Sequence, residues 1–196
     1  MVPGQEIWLV RHGETEWSAT GRHTGRTDLP LTARGIELAS RIRPALAIHE
    51  FAQVLSSPLQ RATETARLAG FDEISGVDPN LREWDYGIWE GRTTAEVRQS
   101  IPDWSIWTTD VPEGETLDDV GRRADAVIDR VLSATGDVLL FAHGHMLRIL
   151  AARWLGLPAE GGRLFALGTA GLSILGFERE TRVIQVWNRS LGIVSK

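Results

Sequence analysis

The stretch VLLFAHGHMLRIL, Val138–Leu150, decides the fold. From Val138 to Ala142 there is no polar side chain, the pattern of a strand buried on both faces. The spacing then predicts a helix over His145–Leu155. A strand covered on both sides that turns straight into a helix belongs to a layered α/β fold. This strand ends in His143-Gly144-His145. In open α/β sheets, ligands sit beyond the carboxyl ends of the strands, so these histidines are aimed at a crevice.

Working outward, a second strand end has the same character. Gln5–Val10 reads as a buried strand and runs into Arg11-His12-Gly13. Thr32 opens a helical pattern in which Ile36, Ala39, Ile42 and Leu46 share a face, with Pro44 expected to end or kink it. Phe51–Ser56 is predicted as a strand. Pro58 is expected to start a helix through Ala62, Ala66 and Leu68, with Gly70 as its C-terminal cap. Ile74–Val77 reads as a third short strand. Asn80–Glu115 is irregular apart from a short helix at Thr94–Gln99, and a segment this long in a compact domain is a candidate lid or binding wall. Thr116 and Asp119 form a capping box ahead of Leu117, Val120, Ala124, Val127, Ile128 and Val131 at helical spacing. Leu172–Phe177 and Val183–Trp187 read as the last strands. The alternation predicts helices on both faces of a sheet, within one domain over residues 1–196.

Composition narrows the function. The chain has 196 residues, 42% hydrophobic and 24% charged, as expected of an ordinary globular protein. The absence of cysteine excludes a disulfide framework, a zinc–thiolate site and a cysteine nucleophile. Met1–Gln5 is neither basic nor followed by a long apolar run, so no secretory leader is expected and the cytoplasm is the default compartment. A net charge of −5 argues against non-specific nucleic-acid binding, so any anion site must be built locally against the overall sign. If the ends of three strands converge, they bring together His12, His143, Arg11 and Arg61, the last one turn into the helix after Ser57. Such a set receives a dianion, most simply phosphate, through the fork of arginine donors. Backbone N–H groups at the starts of the helices after Pro58 and Gly144 are expected to add to it.

Four blocks, LVRHGETEW, SSPLQRATETA, LREWDYGIWEG and FAHGHMLR, resemble the histidine phosphatase superfamily, the phosphoglycerate-mutase-like group, in order and over nearly the whole chain. The resemblance implies a three-layer α/β fold with a mixed, mostly parallel central sheet. It implies that His12 is the nucleophile that becomes phosphorylated and that Glu83 is the proton donor, which then deprotonates the attacking water. The chemistry fits these residue types. A neutral imidazole attacks phosphorus in line, and fixed positive donors, here Arg11, Arg61 and His143, hold the phosphoryl oxygens. Arg11 and Arg61 are expected to keep His12 unprotonated. No metal or other cofactor is required.

Ser18 stands where the family pattern has asparagine, and offers one donor where asparagine has two. Thr24 and Gly25 line the pocket mouth by resemblance, and Tyr86, Gly144 and His145 are further candidates for contact with substrate. His23 and His49 read as a loop and a surface histidine, and Trp104 and Trp107 as packing anchors before any role as a substrate wall. Mutases of this group hold a second acidic group with basic residues after the glutamate block. Here Trp84 and Asp85 follow Glu83, and Gln99–Gly121 contains no Lys or Arg. The reading is therefore a phosphatase acting on small phosphate monoesters, closest in motif to acid phosphatases and sedoheptulose-bisphosphatases. A bisphosphate stays open, because Arg22, Arg26 and Arg148 are within reach of its far end. The alternatives are a phosphoglycerate-type mutase, a phosphoprotein phosphatase and a phosphoprotein-binding module. The expected partner is a small phosphorylated molecule, neither nucleic acid nor membrane, with a homodimer left open.

Overall fold

The computed structural model describes residues 4–191. Met1–Pro3, part of the stretch read for a leader, lie outside it. Chain order is β1 (Ile7–Arg11), α1 (Glu16–Ala19), α2 (Ala33–Leu46), β2 (Gln53–Ser56), α3 (Gln60–Leu68), β3 (Gly76–Val77), α4 (Thr94–Arg98), α5 (Leu117–Leu132), β4 (Val138–Ala142), α6 (Gly144–Trp154), β5 (Leu172–Glu178) and β6 (Thr181–Arg189). The sheet order is β3-β2-β4-β1-β5-β6. β3, β2, β4 and β1 are parallel neighbours, whereas β5 runs antiparallel to both β1 and β6.

β4 lies centrally and all five of its residues are buried. Alternation splits them between two cores. Val138, Leu140 and Ala142 pack with Val120, Ala124 and Val127 of α5 and Met146 and Ile149 of α6. Leu139 and Phe141 face the other way, against Leu38, Ile42 and Leu46 of α2 and Ala66 of α3. The sheet is thus mixed, mostly parallel and covered by helices on both faces. Burial of each Val, Leu, Ile, Phe or Met among these contributes about 1.5–3 kcal/mol.

Local chemistry set several boundaries as expected. Thr116 and Asp119 cap α5 reciprocally. After α3, Gly70 takes φ +100° and its N–H bonds to Arg67 O, while Phe71 N–H bonds to Ala66 O. That pair of bonds is the Schellman arrangement that favours glycine.

Other expectations shift. Pro44 does not end α2, which runs on to Leu46; its fixed φ is compatible with a helix, and the bond lost with its N–H falls in the last turn. The buried face of α2 is Gly35, Leu38, Ala39, Ile42 and Leu46, and Ile36 is exposed, since one residue on a helix is a turn of about 100°. α3 begins at Gln60, two residues after Pro58. β2 and β3 are shorter than expected. The irregular segment is a wall, not a lid: Trp84, Tyr86, Trp89, Val97, Trp104 and Ile106 are all buried in the core under α5 and α6.

Candidate active site

Strand register brings the site together. Arg11 of β1 pairs with Ala142 of β4, and Ser56 of β2 pairs with Phe141. One step further, His12 N–H donates to Ala142 O and Ser57 N–H donates to Phe141 O, each at 2.9 Å. Three strand ends therefore stop level, and the rings of His12 and His143 lie with centroids 5.1 Å apart.

His12 is buried. Its Nδ1 is 2.7 Å from Gly13 O. A carbonyl only accepts, so Nδ1 carries the hydrogen and Nε2 keeps its lone pair. Proton affinity at His12 is held well below the ordinary histidine value, by burial first and then by the Arg11 and Arg61 charges. Thr65 braces this strand end: its hydroxyl accepts from Gly13 N–H at 2.9 Å and donates to Arg61 O at 2.6 Å.

Arg11 donates from Nη1 to Leu167 O, while its Nε is buried with no hydrogen-bond partner among the described residues. Gly144 lies against this guanidinium: a Cβ there would stand 3.2 Å from Arg11 Cζ.

Arg61 sits behind the strand ends, fully buried. It donates to Thr27 O (2.9 Å), Thr24 O and Gly25 O (3.0 Å each), and from Nε to His143 Nδ1 (3.1 Å). His143 must then carry its proton on Nε2, which faces Ser57 Oγ at 2.7 Å. Burial, followed by the Arg61 charge, keeps it neutral, with its proton affinity well below the usual value. The positive charge expected on His143 is therefore absent, because Arg61 occupies the lone pair a second proton would need.

Glu83 is buried against the first turn of α6. Oε2 accepts from His145 N–H, and Oε1 from Met146 N–H and Trp84 N–H, each at 3.0 Å. The N–H groups expected to hold an anion at α6 are thus taken by Glu83. At α3, Gln60 N–H goes to Asp28 Oδ1 at 2.9 Å. Helix starts leave N–H groups unpaired, and here carboxylates from distant loops supply the partners.

A cavity of about 180 Å³ unites Arg11, His12, Ser18, Thr24, Glu83, Tyr86, Gly144 and His145. His143 and Arg61 stand behind its wall, and Gly25 lies outside it, lining a neighbouring cavity of about 350 Å³ that shares Glu83. Ser18 reaches the cavity, but its hydroxyl donates to Thr15 O in the cap of α1. Gly25 N–H is held by Glu90, which also takes Thr27 N–H.

The cavity's far side is aromatic and neutral. Tyr86 OH meets His145 Nδ1 at 2.6 Å, and Trp107 lies 5.0 Å from the His145 ring. Burial, then the Arg148 charge, holds the proton affinity of His145 well below the ordinary value. His23 lies in a loop, as expected, but is a buried part of this wall, tilted against Tyr86 and edge-on to Trp104, and burial lowers its pKa to about 4. Only its place just before Thr24-Gly25 hinted at this. Arg22 and Arg148 also line the cavity, whereas Arg26 lines the neighbouring one and pairs with Asp85 at 2.7 Å. Trp104 is a buried anchor, as expected. His49 packs on Trp8 away from the site.

Known proteins resemble this chain over most of its length. The chain is 42% identical over 192 residues, 94% of its length and 93% of the relative's, to an acid phosphatase of Mycobacterium tuberculosis. It is 35% identical over 184 residues to the sedoheptulose 1,7-bisphosphatase of Saccharomyces cerevisiae, 78% of this chain and 68% of that one. A solved M. tuberculosis structure superposes with a TM-score of 0.90 at 40% identity, covering 95% of this chain and 98% of that one. With the model of the histidine phosphatase superfamily (branch 1) matching residues 7–190, the chain belongs to that superfamily.

Proposed function

We propose that the protein hydrolyses small phosphate monoesters, sugar phosphates foremost, through a phosphohistidine on His12. One observation carries this reading: His12, whose Nε2 keeps its lone pair, lines the same small cavity as Arg11 and Glu83. The names of the relatives, an acid phosphatase and a sugar bisphosphatase, support it.

In the first step His12 Nε2 attacks phosphorus in line and the bond to the leaving oxygen breaks. Arg11 holds the phosphoryl oxygens as charge shifts onto the leaving group. Glu83, protonated at this point, gives that oxygen its proton. In the second step Glu83, now a carboxylate, takes a proton from water as the water attacks the phosphohistidine, releasing phosphate and restoring His12. Arg61 and His143 act from behind the cavity, Arg61 by its charge and by fixing the 24–27 loop. No step calls for a metal.

Arg148 supports a finer reading, a substrate with a second anionic group. It lies over the Trp107 ring at 4.6 Å, and no carboxylate pairs with it among the described residues, while Arg22 is paired with Glu96.

The test is metal-free phosphate release from a panel of sugar phosphates, sugar bisphosphates and 3-phosphoglycerate, with His12→Ala alongside. Release that is lost in His12→Ala, without isomerisation of phosphoglycerate, is expected. Isomerisation would make the protein a mutase. Phosphopeptide binding without turnover of any compound would make it a binding module. In Arg148→Ala, KM for a bisphosphate should rise about tenfold, equivalent to about 1.4 kcal/mol of binding, while a monophosphate is unaffected.

A further inference from the structure

The carbonyl groups around Glu83 converge on one guanidinium. Arg123, on α5, donates from Nη1 to Asn80 O (2.7 Å) and Arg82 O (2.8 Å), and from Nη2 to Glu83 O (3.4 Å). Its Nε and Nη2 also form a two-point pair with Glu115, both at 2.8 Å. Glu115 grips the same stretch from the other end. Its Oε2 accepts Asp85 N–H at 3.0 Å, its carbonyl accepts the Trp84 indole N–H at 2.8 Å, and its own N–H donates to Asp85 O at 3.1 Å.

Glu83 lies in neither a helix nor a strand, so no ladder holds its backbone. Arg123 and Glu115 supply that hold from α5 and the turn before it, while the Glu83 carboxyl is held from the opposite side by α6. Arg123 does not line the cavity of His12; it lines the neighbouring cavity that shares Glu83, and its bond to Glu83 goes to the main-chain carbonyl, not to the carboxyl. Its side chain is 14% exposed, so these bonds are largely shielded from water and constrain geometry more than a surface pair would.

We infer that Arg123, locked by Glu115, is a positioning residue that sets Glu83 for both proton transfers. The inference rests on Glu83 being the general acid and base. A shift of about 1 Å in such a group costs roughly a hundredfold in rate.

The experiment compares glycerol 2-phosphate, whose alkoxide needs protonation, with 2,4-dinitrophenyl phosphate, whose leaving group does not. kcat/KM reports steps up to formation of the phosphohistidine. In Arg123→Met it should fall roughly tenfold to a hundredfold for glycerol 2-phosphate and less than about threefold for the dinitrophenyl ester. kcat for the dinitrophenyl ester should still fall, with a burst of dinitrophenolate, because water activation also needs Glu83. Arg123→Lys should recover part of the loss. Glu115→Gln provides the same comparison if Arg123→Met does not fold. Equal losses on both substrates, or none, would overturn the inference. Glu83→Gln is run in parallel. If it discriminates between the substrates and the Arg123 and Glu115 variants do not, only the positioning role fails. If Glu83→Gln does not discriminate, the acid/base reading fails and the inference with it.

Discussion

The Nδ1–H of His12 donates to the carbonyl oxygen of its neighbour Gly13 at 2.7 Å, which commits the ring to the tautomer whose lone pair is on Nε2. Burial, Arg11 and Arg61 together keep that ring neutral well below the pH at which an ordinary histidine charges. In the proposed mechanism, attack by His12 should therefore show no acid limb near pH 6.5. Presteady-state phosphorylation by 2,4-dinitrophenyl phosphate, corrected for substrate ionisation, should stay level from about pH 7.5 to about 5.5. A decline centred near pH 6.5 would contradict this tautomer and its environment.

Alkyl phosphates add a second limb. In the proposed mechanism Glu83 donates a proton in the first step, so kcat/KM for glycerol 2-phosphate should fall on the alkaline side, and Glu83→Gln should remove that limb along with most of the activity, about a hundredfold. A flat profile to strongly alkaline pH would take Glu83 out of the role.

Stability should also depend on pH. His12, His23, His143 and His145 all have proton affinities lowered by burial. Unfolded, each regains an ordinary value near 6.5, so below that pH the unfolded chain binds more protons than the folded one. Stability is then complete above about pH 6.5 and declines as pH falls, by up to about 1.4 kcal/mol per pH unit for each such histidine. For His23 the decline continues to about pH 4. Melting temperatures from neutral to acid pH should show the slope, and His23→Gln should reduce it. A melting temperature independent of pH over this range would refute the neutral, buried state of these rings.

Arg61 holds the carbonyls of Thr24, Gly25 and Thr27 and the Nδ1 of His143 at once. An ammonium cannot match that planar fork. Arg61→Lys should lose most activity and destabilise by about 1–3 kcal/mol, and Arg61→Ala by more, since each buried carbonyl left unpaired costs about that much. Urea midpoints and kcat for the same samples would check it; an active, fully stable Arg61→Lys would mean the fork does not matter.

Gly25 has no room for a side chain. A Cβ would stand 2.4 Å from Trp84 O and 2.8 Å from a Glu90 carboxylate oxygen. The backbone oxygen cannot retreat without moving the segment that carries Glu83. Gly25→Ala should therefore cost about 1–3 kcal/mol and lower kcat more than it raises KM. Wild-type kcat in this variant would show that the loop and the Glu83 segment are uncoupled.

Much of this was legible in the chain. The unbroken apolar run Val138–Ala142 and the matched endings at Arg11-His12 and His143-Gly144 pointed to a covered sheet and to side chains gathered at its edge. The cap of α5 and the turn after α3 were readable because their bonds span a few residues. Ile36 was misplaced because a helical face is known from sequence only to within about one residue's rotation. The sequence places His23 in a loop but not in the site wall, because nothing adjacent tells that Tyr86 and Trp104 will cover it.

Which chemical groups are present and which strand ends carry them could be read from the chain, because strand burial and helix capping are local patterns. The tertiary structure alone decided their states. Arg61 meets His143 across 82 residues and Glu83 meets Met146 across 63. Those two contacts make His143 neutral and close the first turn of α6 to an outside anion. A tautomer or an occupied N–H depends on the atom opposite it, and that atom is chosen only when distant segments pack together.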